Sequence, residues 1–262
     1  MILAVIGAGG FLGGHIAWKF RALGHEVIPI GRGEPLFARA VDVAVDCNGD
    51  PRRFWANANP EASHAANVDS VAARLDRMRY TFYVYASTVD VYGSLRADRT
   101  KNVETAVIDV ESLDTYALHK HMAEELVRQK APNHLILRLG TLIGPGLKKN
   151  PVYDALHGHR IRQTRTSTLS LVDLDHVGRA LERLLLANAR GTFNVTGARS
   201  IDIASMLGLI GDRVGHDDFQ FDPDLIHTEY DVNIDEMAEI LPLPDSAAML
   251  RSYLDHEASA DR

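Results

Sequence analysis

Tyr116 and Lys120, four residues apart in the segment Tyr-Ala-Leu-His-Lys, are the side chains best suited to proton chemistry. On a helix that spacing stacks them one turn apart on the same face. A free tyrosine, with a pKa of about 10, is a poor acid–base catalyst at neutral pH. A neighbouring ammonium, or the cationic ring of an oxidised nicotinamide, stabilises the phenolate and lowers that value. A second pair, Ser87-Thr88, directly follows the strand-like run Thr81–Ala86. In an open α/β sheet the carboxyl ends of strands are where ligands bind. Gly7, Gly10 and Gly13 form a third group, after the apolar run Ile2–Ile6 and at the start of helix-spaced apolar residues from Phe11 to Phe20. Strand, glycine turn and helix together make a phosphate site: the glycines permit close backbone approach, and free N–H groups at the helix N-terminus favour an anion. A dinucleotide is the ligand this arrangement predicts.

The elements that must position these groups alternate between strand and helix, which implies a doubly wound parallel sheet with a small, reduced substrate lobe. Strands are expected over residues 25–30, 41–46, 81–86, 135–139, 170–172 and 192–195, and helices over 11–20, 59–78, 116–129 and from a cap at Asp173 or Asp175 to Leu186. Residues 1–146 with 167–199 form the expected nucleotide-binding core. Residues 147–166 with 200–254 form the expected lobe, and 255–262 read as a frayed tail. Gly31 occupies the end of the second strand, where an acidic residue would accept hydrogen bonds from the adenosine ribose, and Arg32 follows it. An arginine there accommodates a 2′-phosphate, so NADP is favoured and NAD is the alternative.

Composition excludes other classes. The chain has 262 residues, 46% hydrophobic and 24% charged, with 28 basic against 35 acidic side chains and a net charge of −7. That balance disfavours nucleic acid or an anionic membrane as partner. Cys47 is the only cysteine, leaving no intrachain disulfide and no cysteine-based zinc site, and no histidine cluster specifies a metal. The first apolar segment lacks a basic flank and is interrupted by glycines, so neither signal peptide nor anchor is expected and the cytoplasm is the default location. Cys47 reads as a small hydrophobe, and His119 and His121 as surface residues flanking Lys120.

The segments GAGGFLG (7–13), YASTVDVYG (85–93), YALHK (116–120), LRLGTLIGPG (137–146) and LVDLDHVGRAL (171–181) occur in an order that resembles the extended branch of the short-chain dehydrogenase/reductase superfamily, the sugar-nucleotide epimerases, dehydratases and reductases. The resemblance implies that Tyr116 exchanges a proton with the substrate oxygen, that Thr88 hydrogen-bonds the same oxygen, and that Lys120 holds the nicotinamide ribose and tunes Tyr116. It implies cofactor contacts at Gly7, Gly10, Phe11, Leu12, Gly13, Gly31, Arg32, Ser87, Tyr116, Lys120, Leu139, Thr141 and Leu142, with Ser87 also serving structure. It further implies a homodimer through the helices at 59–78 and 115–130, which could equally only cover the sheet.

Three departures narrow the function. A strand–helix unit common between the second and third strands is deleted or much shortened. Val89-Asp90 stands where dehydratases carry Asp-Glu, so the acid for water elimination is missing. Ser167-Thr168 stands where an arginine usually grips a substrate diphosphate, leaving Arg162 or Arg165 to substitute. The expected activity is NADP-dependent reduction of a keto group on a nucleotide-linked sugar or similar small molecule. An epimerase is the alternative, and a non-catalytic dinucleotide sensor a further one that the Tyr116–Lys120 pair disfavours.

Overall fold

Leu3–Ile6 are buried in β1 (Ile2–Ile6), an interior strand with a parallel neighbour on each side. A strand covered on both faces reads as a continuous apolar run rather than an alternating one. The computed structural model describes residues 1–31, 39–93 and 95–260. On one side β1 pairs with β2 (Glu26–Ile30), and on the other with β3 (Val41–Asp46), which in turn pairs with β4 (Tyr80–Thr88). The strands His134–Leu139 and Gly191–Val195 complete a six-stranded sheet, with β2 at the opposite edge. No further strand lies beyond β2 among the described residues, in keeping with a shortened segment between β2 and β3. The chain leaves β1 to one side and returns on the other, so the crevice between the ends of β1 and β3 is the switch point where such sheets bind ligands.

The chain divides into two units. The first comprises residues 1–93, 107–138 and 181–193. Its helices are α1 (Phe11–Ala22), α2 (Arg53–Ala58), α3 (Pro60–His64), α4 (Ser70–Arg77) and α5 (Thr115–Lys130). The single helix expected over 59–78 is broken by a π turn at Ala65–Asp69. Asn67, buried within that turn, accounts for the break. Its amide nitrogen donates to the Ser63 carbonyl at 3.1 Å, and its oxygen accepts from the Asp50 backbone at 3.0 Å. A side chain that engages neighbouring backbone in this way competes with the regular ladder. One core cluster of this unit joins Ala44, Tyr83 and Tyr85 of the sheet to Val71 and Leu75 of α4 and to Ala123 and Val127 of α5.

The second unit comprises residues 94–106, 139–180 and 194–262. It takes in 139–146 and 167–180, which the sequence reading assigns to the core, because short strand pairs tie these segments together: Thr141–Ile143 with Leu171–Asp173, and Thr168–Leu169 with Ile201–Asp202. Asp173, not Asp175, caps the helix Leu174–Leu186, accepting from the His176 backbone at 2.8 Å. The terminal helix Ser246–Ala260 runs into the segment expected to fray, as far as Ala260. Buried Met249, Leu250, Tyr253 and Leu254 anchor its earlier turns, and an established helix gains one backbone hydrogen bond for each residue added. Among the described residues, no helix is long and apolar enough to cross a membrane, and no group of three or more acidic, histidine or cysteine side chains is placed to hold a metal ion.

Candidate active site

The turn after β1 is built by glycines with distinct duties. Gly7 has φ +79°, a left-handed conformation that side chains resist, and its N–H donates to the Ile30 carbonyl at 2.9 Å. Its Cα faces the loop after β3: an added Cβ would lie 3.1 Å from Cys47 and Asn48 backbone atoms. Gly10 precedes α1, whose N-terminus carries no side-chain cap and no acidic residue in its first turn. Gly13 is where the helix meets the turn, since a Cβ there would stand 2.2 Å from the Gly7 carbonyl oxygen. Phe11 and Leu12, both half-buried, complete the first turn. Gly31 directly follows β2, whose last carbonyl receives the turn; Arg32 lies outside the described residues.

Across the sheet, β4 runs two residues further than the apolar pattern indicates and ends on Ser87 and Thr88. The Thr88 hydroxyl caps the following turn, accepting from the Asp90 N–H at 3.2 Å, and it favours the ionised form of the Tyr116 phenol. Asp114 caps α5, accepting from the Ala117 N–H at 2.9 Å and pairing with Arg53, and this sets Tyr116 in the first turn. Lys120 follows one turn later, buried, with its ammonium donating to the Ala86 carbonyl at 2.6 Å and lying 4.1 Å over the Tyr85 ring. Thr88, Tyr116 and Lys120 thus converge on the carboxyl end of β4.

Their electrostatics differ from the expected tuning. Burial, reinforced by Asp90 and Asp114, pushes the Tyr116 phenol up, and the Thr88 hydroxyl and Arg53 only partly oppose it. Desolvation of a buried phenolate outweighs the expected lowering by Lys120. Lys120 is itself pushed down to about 8 by burial. Burial also raises the Cys47 thiol, which leaves it protonated and poorly nucleophilic. His119 is not a surface residue. It is buried, with Nδ1 2.9 Å from the Ser63 hydroxyl and its ring edge-on to His64, because α3 packs over that face of α5. His121 is half-buried.

Ser87 donates to Glu124 at 2.6 Å, which gives its hydroxyl a structural role. Glu124 also pairs with Arg138 and Arg128, each at 2.8 Å, and Arg138 donates to the Tyr92 hydroxyl at 2.8 Å. Glu124 and Arg138 are fully buried and were missed in the sequence. Their signals were present: an arginine inside the apolar strand Leu-Ile-Leu-Arg-Leu, and an acidic residue one turn beyond Lys120, since charges on apolar faces are buried only when paired.

In the second unit, Leu139 is buried, the Thr141 N–H donates to the Ser170 carbonyl at 2.7 Å, and the Leu142 carbonyl accepts from Asn150 at 2.8 Å. Ser167 and Thr168 bind the backbone at Thr228 and Tyr230, a role for small hydroxyl residues that an arginine could not fill. Arg162 lies 3.7 Å from Asp222, and Arg165 covers the Phe221 ring at 4.9 Å.

The family model for NAD dependent epimerases/dehydratases matches residues 3–178, spanning the glycine turn, Thr88, Tyr116 and Lys120. The chain belongs to this family. It is an NAD(P)-dependent enzyme of the extended short-chain dehydrogenase/reductase type. No curated protein matches the chain. Among solved structures it is similar to UDP-glucuronic acid 4-epimerase from Bacillus cereus in complex with UDP-glucuronic acid and NAD, with TM-score 0.81, 16% identity, and 99% of this chain and 100% of that one covered. It is also similar to a dTDP-4-dehydrorhamnose reductase from Clostridium acetobutylicum, with TM-score 0.78, 17% identity, and 98% and 100% covered. UDP-glucose 4-epimerase from Thermotoga maritima gives TM-score 0.78 and 16% identity, with both chains covered in full. At these identities the similarity is one of fold. The family's cofactor fits the residues present, because Gly7 and Gly13 leave backbone where side chains would otherwise stand and α1 offers an uncapped N-terminus.

Proposed function

We propose that this enzyme interconverts a hydroxyl and a keto group on a nucleotide-linked sugar, with Tyr116 exchanging the proton. The observation that carries the reading is the placement of Thr88 at the end of β4, with Tyr116 in the first turn of α5 and Lys120 one helical turn later on the Ala86 carbonyl. Gly7, Gly10 and the first turn of α1 would hold the dinucleotide phosphates, and Lys120 the nicotinamide ribose. When bound, the cofactor supplies or accepts the hydride. The raised phenol of Tyr116 is protonated at neutral pH, ready to donate to the oxygen of a carbonyl. Thr88 orients that oxygen by a second hydrogen bond. Val89 in place of a carboxylic acid argues against water elimination.

Two versions share these residues. Epimerisation, in which one carbon is oxidised and re-reduced, is supported by the similar structure of a UDP-glucuronic acid 4-epimerase that holds UDP-glucuronic acid and NAD. Net reduction with NADPH is supported by the sequence Gly31-Arg32, which directly follows the β2 segment. Incubation with deuterium-labelled cofactor and a panel of nucleotide keto-sugars and sugars tests both. Label in the product with stoichiometric oxidised cofactor means reduction, turnover without net cofactor change means epimerisation, and neither with any substrate refutes the reading. The α5 face bearing Leu118, Met122 and Leu126, with Val68 and Val110 beside it, forms an apolar groove that suits a second copy of the chain.

A further inference from the structure

The ends of β3 and β4 set a buried charge pair behind Lys120. Asp46, the last residue of β3, stands opposite Tyr85 in the parallel register, so both side chains leave the sheet on one face. Covered by α4 and α5, that face buries Asp46 completely. Its carboxylate receives Arg74 Nε at 2.6 Å and the Tyr83 hydroxyl at 2.6 Å. The Tyr85 ring, beside Asp46, is the one under the Lys120 ammonium, and its buried hydroxyl has no hydrogen-bond partner among the described residues.

We infer that Asp46, opposite the Tyr85 ring that the Lys120 ammonium covers and held by Arg74 and Tyr83, is a positioning residue that supplies the buried counter-charge to Lys120. This rests on the reading that Lys120 holds the cofactor ribose. Stability alone does not account for the pair, because a buried ion pair is often no better than apolar residues of similar size. The groups acting on Lys120 come from every element around it: Glu124 from α5, Arg74 from α4, Asp46 and Cys47 from the end of β3, and Tyr85 with the Ala86 carbonyl from β4. Glu124 is shared between two arginines, which offset its charge, whereas Asp46 has one. Burial drives Lys120 down, Asp46 is the strongest influence in the opposite sense, and Arg74 adds to the downward push. Asp46 and Arg74 therefore act on Lys120 with opposite sign.

The test is cofactor affinity against pH, measured by calorimetry on the intact protein with NAD or NADP, whichever binds tighter, and with no substrate. In the wild type, affinity should fall through a basic limb near pH 8 as Lys120 loses its proton. Asp46→Asn keeps the size and an acceptor for Arg74, and should lower the limb by about one pH unit, the scale of a neighbouring opposite charge. Affinity at pH 6 should remain near the wild-type value. Arg74→Gln should move the limb upward, whereas general damage to the fold would weaken binding at every pH. An unmoved limb in Asp46→Asn, or a lowered one in Arg74→Gln, overturns the proposal and leaves the functional reading standing. Should Asp46→Asn fail to fold, Arg74→Gln decides alone, upward in favour and otherwise against. A folded wild type that binds neither cofactor overturns both.

Discussion

Alanine at position 13 should weaken cofactor binding on the order of a hundredfold, whereas alanine at position 9 should leave it unchanged. The added Cβ at Gly13 would lie 2.2 Å from the Gly7 carbonyl oxygen and 2.7 Å from its carbon, both rigid backbone. Restoring ordinary contact requires α1 to withdraw from the turn by about 1 Å. Overpacking of this kind costs about 1–3 kcal/mol of stability, so the fold survives while the N-terminus of α1 shifts. A displacement of about 1 Å at a site that must meet a ligand costs on the order of a hundredfold. An added Cβ at Gly9 meets nothing within 4 Å, which makes Gly9→Ala the control for any general effect of a methyl group in the turn. Calorimetric titration with NAD and NADP, alongside thermal denaturation, reads both quantities. Wild-type affinity in a folded Gly13→Ala protein would refute the claim that the end of α1 seats the phosphates. An equal loss in Gly9→Ala would refute the division of duties among the glycines.

Tyr116→Phe removes one hydroxyl and little volume, so turnover should fall by about 10²–10⁴ with melting temperature and cofactor affinity unchanged. Steady-state kinetics near wild type would show that another group moves the proton. Glu124→Ala removes the carboxylate paired with buried Arg138 and should destabilise the fold by about 3–5 kcal/mol in urea titration. Because Arg138 and its other partners hold the folded Glu124 below its ordinary value, its contribution is full above the unfolded glutamate value and is lost as pH falls through the lowered one. Glu124→Gln should therefore flatten the acid side of the stability–pH curve. Arg32→Ala should weaken NADPH binding by about ten- to a hundredfold, the worth of a charged hydrogen bond, and leave NADH unchanged; equal effects on both remove the 2′-phosphate assignment. Met122→Glu places a charge in the apolar groove of α5 and should convert a dimer to monomers in light scattering, while a wild type that is already monomeric removes the proposed interface.

Local pattern carried the parts of this protein that depend on near neighbours. The run Ile2–Ile6, the glycines after it and the periodicity from Phe11 together specify β1, the turn and α1. A spacing of four puts Tyr116 and Lys120 on one face of α5, as any helix must. Only the assembled sheet could decide what those side chains meet. Asp46 reaches Tyr83 and Arg74 because β3 and β4 are neighbours beneath α4, across 37 and 28 residues of chain. Glu124 finds Arg138 across a strand–helix boundary that periodicity does not describe. The π turn at Ala65–Asp69 follows from Asn67 reaching a loop 17 residues away, and His119 is buried because α3 covers it. The direction of the Tyr116 shift was likewise a tertiary matter. Spacing counts the charges along a helix, but desolvation depends on how much protein closes over the phenol, and that is set by packing between elements distant in sequence.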